Sequence, residues 1–269
     1  MHTLPKFSVI VCSVEAAKFA HLSASLEQLL DQYPHEIIGI HDAKSLAEGY
    51  NRGLAKSTGD IVIFSHDDIL FADRNFAAKI AERMRDYDIL GFAGTSKLIT
   101  ATWFGAGQPH IHGAICHAKR NRPDLALNIY GVGTWPIVDG IQALDGCCII
   151  AKRQVAEAIG FDANTFDGFH LYDLDFSYSA YRAGYRLGVC CDIPFLHESS
   201  GNFAYQHLHY AERFVMKYLT ELGGTNPQDI VSEPPGRGAG FSDYPTLLRA
   251  WNAETLLRAT IAMRRAYPG

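Results

Sequence analysis

The stretch from Asp60 to Ile69 constrains this chain more than any other. Ile61, Val62, Ile63 and Phe64 form an unbroken apolar run, which reads as a buried strand. The run ends abruptly in Ser65-His66-Asp67-Asp68. Two adjacent carboxylates at the end of a buried strand repel each other and lose hydration. A divalent cation or a cationic ligand is the usual compensation. Open α/β sheets also bind ligands just outside the carboxyl ends of their strands. The competing reading is a cap and turn leading into the next helix. His-Asp-Asp directly after an apolar run favours the cation.

The flanking segments supply a sheet for that strand. Phe7 to Cys12 is a first strand, and a helix spans about Ala16 to Gln32 with Leu22, Leu26, Leu29 and Leu30 on one face. Glu36 to Ile40 is a second strand, ending in His41-Asp42. Ser45 caps a helix running to about Lys56. Strand, helix, strand, helix, strand predicts an α/β fold with parallel pairing. Further on, the pattern predicts a helix over Phe76 to Met84 and a strand over Ile89 to Gly94. From Thr95 to Val138 the periodicity fades into a Gly-, His- and aromatic-rich stretch containing Trp103 and Trp135, which suits a binding loop or a small ribbon. A strand-like run follows around Asp145-Gly146, then a short helix over Lys152 to Ile159. A helix opens near Tyr172 and stops at Gly184, and Tyr185 to Cys191 is another strand. Residues 204–269 read as two helices, about Ala204 to Leu222 and Pro245 to Ala266, around a Gly- and Pro-rich segment. The expected division is therefore a domain over 1–203 and a helical extension over 204–269.

Composition excludes some function classes. A net charge of -5 argues against a generic nucleic-acid binder. The adjacent pairs Cys147-Cys148 and Cys190-Cys191 lie in apolar runs and read as buried reduced thiols, which points to the cytoplasm. No Cys-x-x-Cys occurs, which disfavours a zinc knuckle. No run approaches a membrane span, so membrane contact is expected to be peripheral at most.

Three further constellations can carry chemistry. Tyr172-Asp173-Leu174-Asp175 stands at a helix start, where acidic residues also suit the helix dipole. A carboxylate there can act as general base toward a hydroxyl. Asp173 and Asp175 are two apart and point in different directions on a helix, so only one is expected to face a reacting group. His197 follows a short apolar stretch and offers an imidazole to a metal, or is simply a bonded surface residue. Asp145-Gly146 places an acid and a small residue between apolar runs, for close ligand approach or for a tight turn. Gly236-Arg237-Gly238-Ala239-Gly240 does not follow a strand and reads as a linker or a lid.

In this order, Asp42, Ser65-His66-Asp67-Asp68, Asp145-Gly146, Tyr172-Asp173-Leu174-Asp175 and His197 resemble the GT-A fold glycosyltransferases, especially the large inverting family two. More narrowly, Tyr50-Asn51-Arg52-Gly53, His66-Asp67-Asp68, Leu144-Asp145-Gly146 and Gly168 to Asp175 look like the glycosyltransferase-like group named for a streptomycin-biosynthesis protein. The resemblance covers roughly residues 6–203 and implies a GT-A, Rossmann-like, mostly parallel sheet flanked by helices. It implies a nucleotide-diphosphate sugar donor, a saccharide or small-molecule acceptor and a divalent metal, Mn or Mg. By the same resemblance Asp67 and His197 would ligate the metal, and Asp173 would be the base. Asp145 would meet a donor or acceptor sugar. Asp42, Asn51, Arg52 and Asp68 would serve the donor. Ser65 and Tyr172 depart from the family, which has acids in those places. They are the best support for a second reading, an inactive nucleotide-sugar binding protein. A third, a sugar nucleotidyltransferase, expects a glycine-rich loop after the first strand, where Ser13 to Lys18 has no glycine. The C-terminal helices can pair subunits into a homo-oligomer, cover the acceptor or touch a membrane, and their composition does not choose.

Overall fold

The computed structural model describes residues 3–118, 125–131, 136–198 and 205–222. The first half follows the expected order: β1 (Phe7–Cys12), α1 (Ala16–Leu29), β2 (His35–Ile40), α2 (Leu46–Lys56) and β3 (Ile61–Ser65). β1 pairs in parallel with both β2 and β3. All five residues of β3 are buried, as its apolar run requires. Helix α2 starts where Ser45 Oγ accepts the backbone N–H of Glu48 at 3.1 Å. The helix lies unusually close to β1: a Cβ on Gly53 would come within 2.2 Å of Ile10, and one on Gly49 within 2.4 Å of the Cys12 sulfur. Each mid-helix glycine costs about 1 kcal/mol relative to alanine, and close packing is what it permits.

β4 (Ile69–Phe71) and α3 (Phe76–Arg83) come next. The single strand expected over Ile89 to Gly94 is two: β5 (Ile89–Gly91) and β6 (Ala93–Thr95). They belong to different sheets, and the chain changes sheets at buried Phe92. The aromatic-rich stretch forms a ribbon of β7 (Ile111–Ala118) and β8 (Leu125–Gly131). Then come β9 (Ile137–Val138), β10 (Ala143–Leu144), β11 (Cys148–Lys152), α4 (Arg153–Ile159) and α5 (Tyr172–Arg182). β12 (Leu187–Cys190), β13 (Phe195–His197) and α6 (Tyr205–Lys217) complete the described chain. Trp135, the Gly236 to Gly240 segment and the helix expected over Pro245 to Ala266 lie outside the described residues.

One sheet has the order β2-β1-β3-β11-β5-β12-β9, the other β10-β6-β7-β13-β4 with β8 on β7. Parallel pairing holds through β2, β1 and β3, but β11 runs antiparallel to both β3 and β5, so the larger sheet is mixed. α6 packs onto this α/β layer: Phe214 and Tyr218 are buried, and Tyr218 meets Asp175 and Ser179 of α5. All six cysteines are free thiols, and five of them are buried. No described helix is long and apolar enough to cross a membrane.

Candidate active site

The chain leaves β3 and reaches β4 through His66, Asp67 and Asp68, thereby passing from one sheet to the other. The His66 N–H donates to Cys147 O at 3.0 Å, which ties this link to the start of β11. The two adjacent carboxylates then part. Asp67 turns toward β1, where Ser13 Oγ donates to its Oδ2 at 2.6 Å. Asp68 turns toward β13, and its Oδ1 lies 3.3 Å from His197 Nε2. β13 pairs with β4 in register, His197 opposite Ile69, and this sets His197 beside Asp68.

Among the described residues, His66, Asp68 and His197 form a group whose ligand atoms all lie within 4.8 Å of one another. Asp68 Oδ1 and His197 Nε2 are buried and face each other at ion-pair distance without the alignment of a hydrogen bond. Such a pair suits a shared cation. Burial works to raise the Asp68 carboxyl, but contact with His197 and the charges of His197, His66 and Lys18 outweigh it and bring it down to about 2. Burial works to lower His197, and Asp68 beside it raises it instead. Burial, and then the neighbouring His197, lowers His66. Sequence reasoning set Asp67 against the metal, whereas the carboxylate next to His197 is that of Asp68. His66 joins them.

The second half of the site is the link between β10 and β11. Asp145 Oδ1 accepts the Cys147 N–H at 2.9 Å, and its Oδ2 accepts Trp103 Nε1–H at 3.0 Å. Gly146 must be glycine here: a Cβ would lie 2.5 Å from the Tyr172 hydroxyl and 2.8 Å from Asp173 Oδ2. Thus the first turn of α5 rests directly on this link. The residue before α5, Leu171, holds a left-handed backbone (φ 62°, ψ 0°) that costs a non-glycine about 1–2 kcal/mol. The sharp entry delivers Tyr172 and Asp173 onto Gly146. Burial, reinforced by the charge of Asp145, pushes the Asp173 carboxyl up to about 7. It is ringed by protein yet open on the cleft side. Asp175 points away, as its spacing predicts. It is 2% exposed, accepts from Tyr218 Oη at 2.6 Å and pairs with Lys217 at 2.7 Å.

His66, His197, Asp145 and Asp173 line one cleft of about 220 Å³, with Trp103, Phe104 and Phe169 on its walls. That is below the roughly 300–1,000 Å³ of whole small-ligand sites, so it suits one ring of a larger ligand. Of the residues expected at the donor, Asp68 joins His66 and His197, whereas Asp42, Asn51 and Arg52 are not on the cleft wall. Asp42 is largely exposed and paired with Arg52 at 2.9 Å, and Arg52 also meets Glu48. Asn51, expected at the donor, is bonded within the protein. Its Nδ2 donates to Phe161 O at 2.7 Å and its Oδ1 accepts the Phe161 N–H at 2.9 Å, so both polar ends tie α2 to the end of α4. Sequence reasoning missed the Trp103–Asp145 bond and the contact between Tyr172 and His66, whose Nε2 lies 2.7 Å from the phenol oxygen.

Comparison with known proteins now decides the class. Residues 8–218 match the model of a glycosyltransferase-like family. The chain belongs to that family. It is a glycosyltransferase with the GT-A fold. Among solved structures, GalNAc-T7 with UDP, GalNAc and Mn2+ matches over 100% of this chain and 59% of its own, at 13% identity and TM-score 0.55. The Pyrobaculum calidifontis mannosyltransferase PcManGT, solved with GDP-Man and Mn2+, matches over 99% of this chain and 76% of its own, at 14% identity and TM-score 0.48. S. aureus TarS residues 1–349 match over 98% and 81%, at 14% identity and TM-score 0.49. No curated protein matches the chain.

Proposed function

We propose that the protein moves a sugar from a nucleotide-diphosphate donor to an acceptor hydroxyl, with inversion at the anomeric carbon and with a divalent metal. The observation that carries this reading is one cleft lined by His66, His197 and Asp173, with Asp68 grouped with the two histidines so that the three ligand atoms lie within 4.8 Å of one another. GalNAc-T7, which shares the fold, holds UDP, GalNAc and Mn2+.

The donor set fits a metal. Two imidazoles and one carboxylate suit a transition ion such as Mn better than Mg, which prefers oxygen alone. His66, Asp68 and His197 would hold it. When bound, the metal supplies positive charge to the departing diphosphate. Asp173, poised near neutral pH, takes the proton of the acceptor hydroxyl as that oxygen bonds to the anomeric carbon and the bond to the diphosphate breaks. Asp145, fixed by Trp103 and the Cys147 N–H, orients a sugar hydroxyl and keeps Asp173 basic. The cleft walls of Trp103, Phe104 and Phe169 give a ring apolar faces to lie against. Asp67, which follows β3 and is held by Ser13, and the Asp42–Arg52 pair would serve the donor.

At Ser65, where the family has an acid, the hydroxyl donates to His66 O at 2.8 Å at the end of β3. Calorimetry with Mn and a panel of UDP-, GDP- and dTDP-sugars tests the proposal. Donor binding to at least one is expected to depend on Mn, and the same affinity in chelator would remove the metal role.

A further inference from the structure

Tyr172 replaces the acid that the family places before the base, and the mechanism above gives its hydroxyl no task. That hydroxyl is buried between two of the links that build the site. It donates to Gly146 O at 3.1 Å and lies 2.7 Å from His66 Nε2. A phenol has one proton to give. With that proton on Gly146 O, the remaining bond must run from His66 Nε2–H to the phenol oxygen. A neutral imidazole with its proton on Nε2 carries its lone pair on Nδ1. We propose that Tyr172 is a positioning residue that fixes the tautomer and ring orientation of His66, leaving Nδ1 as the nitrogen offered to the cation site shared with Asp68 and His197. The metal half of this inference rests on the function proposed above; the tautomer half does not.

Several features support the assignment. His66 is held at both ends, its backbone N–H by Cys147 O and its ring by Tyr172. Tyr172 is seated without slack, because a single methyl on Gly146 would collide with its hydroxyl. It immediately precedes Asp173, so the same turn of α5 that presents the base also steadies the ligand. Metal-binding histidines commonly give their second nitrogen to such an outer partner, and removing that partner costs about 10–100-fold in metal affinity.

The test uses the full chain, labelled with nitrogen-15 and free of metal. His66→Gln identifies the His66 signals. In the wild type, imidazole correlations are expected to show His66 protonated at Nε2 and bare at Nδ1. A proton on Nδ1 would overturn the proposal without any variant. In Tyr172→Phe the same signals are expected to shift toward a mixture of tautomers, and Mn affinity by calorimetry to fall about 10–100-fold, with the circular dichroism spectrum unchanged. Unaltered His66 signals and unaltered Mn affinity in that variant would also overturn it. A wild-type protein with the expected tautomer that binds no Mn would count against the metal reading and against the role of Nδ1 as a ligand, while leaving the His66–Tyr172 bond established.

Discussion

Two carboxylate pairs, Asp67 with Asp68 and Asp173 with Asp175, divide their work in the same way and end with opposite chemistry. In each pair one member is spent on structure. Asp67 is held by Ser13 at the end of β1, and Asp175 by Tyr218 and Lys217 under α6. The other member faces the cleft or its edge. There the likeness stops. Asp68 stands against a histidine that holds it down at about 2, so it stays charged and suits a cation. Asp173 stands largely enclosed by protein near another carboxylate and rises to about 7, so it can take up a proton. The same side chain becomes a ligand or a base according to whether its neighbour is cationic or anionic.

The largest effect should come from Asp173→Asn. It should lower transfer by about 100- to 10,000-fold while leaving Mn-linked donor binding intact. Single-turnover rates together with donor titration check both halves, and full activity would erase the contrast with Asp68. Next, Asp68→Ala should weaken Mn at least about tenfold by calorimetry. Asp67→Ala should disturb Mn far less and cost about 1–3 kcal/mol of stability, the worth of a bond to a charged group. Equal losses of Mn in the two variants would break the division drawn within that pair.

The pH dependence sharpens the comparison further. Transfer should rise with pH through about 7 as Asp173 loses its proton, and this limb should flatten in Asp173→Asn. Stability runs the other way for this group. Its folded pKa lies above the unfolded value, so the folded state holds the proton more tightly and loses that stability between about pH 4 and 7. Asp68, depressed on folding, contributes stability above about pH 4 that is lost as the pH falls through about 2. Urea unfolding of the wild type and Asp173→Asn across this range checks the signs. The smallest functional effect is expected for Asp175→Asn, which should cost about 1–3 kcal/mol of stability and leave the Mn dependence of donor binding unchanged.

Much of this was legible in the chain. An apolar run stopping at charged residues located β3 and its link, and helical spacing separated Asp173 from Asp175. Other choices lay beyond local pattern. The strand expected over Ile89 to Gly94 divides because one buried residue, Phe92, suffices to change sheets, and it leaves no polar mark. Nothing local tells Asp67 from Asp68. The pairing of β4 with β13, more than a hundred residues on, decides which one meets His197. Asn51 sits in a family-like motif, yet its amide serves Phe161, a partner 110 residues away. The bonds of Trp103 and Tyr172 are equally non-local.

The stitching of the two sheets has a consequence for how this enzyme can change. His66 to Asp68 and Asp145 to Cys147 are both crossings from one sheet to the other. His66, Asp68 and Asp145 therefore sit on seams, while His197 ends β13 and Asp173 opens α5. Substitutions that alter how one sheet leans on the other would retune the gap between cation and base without touching either, while the strands keep their pairing.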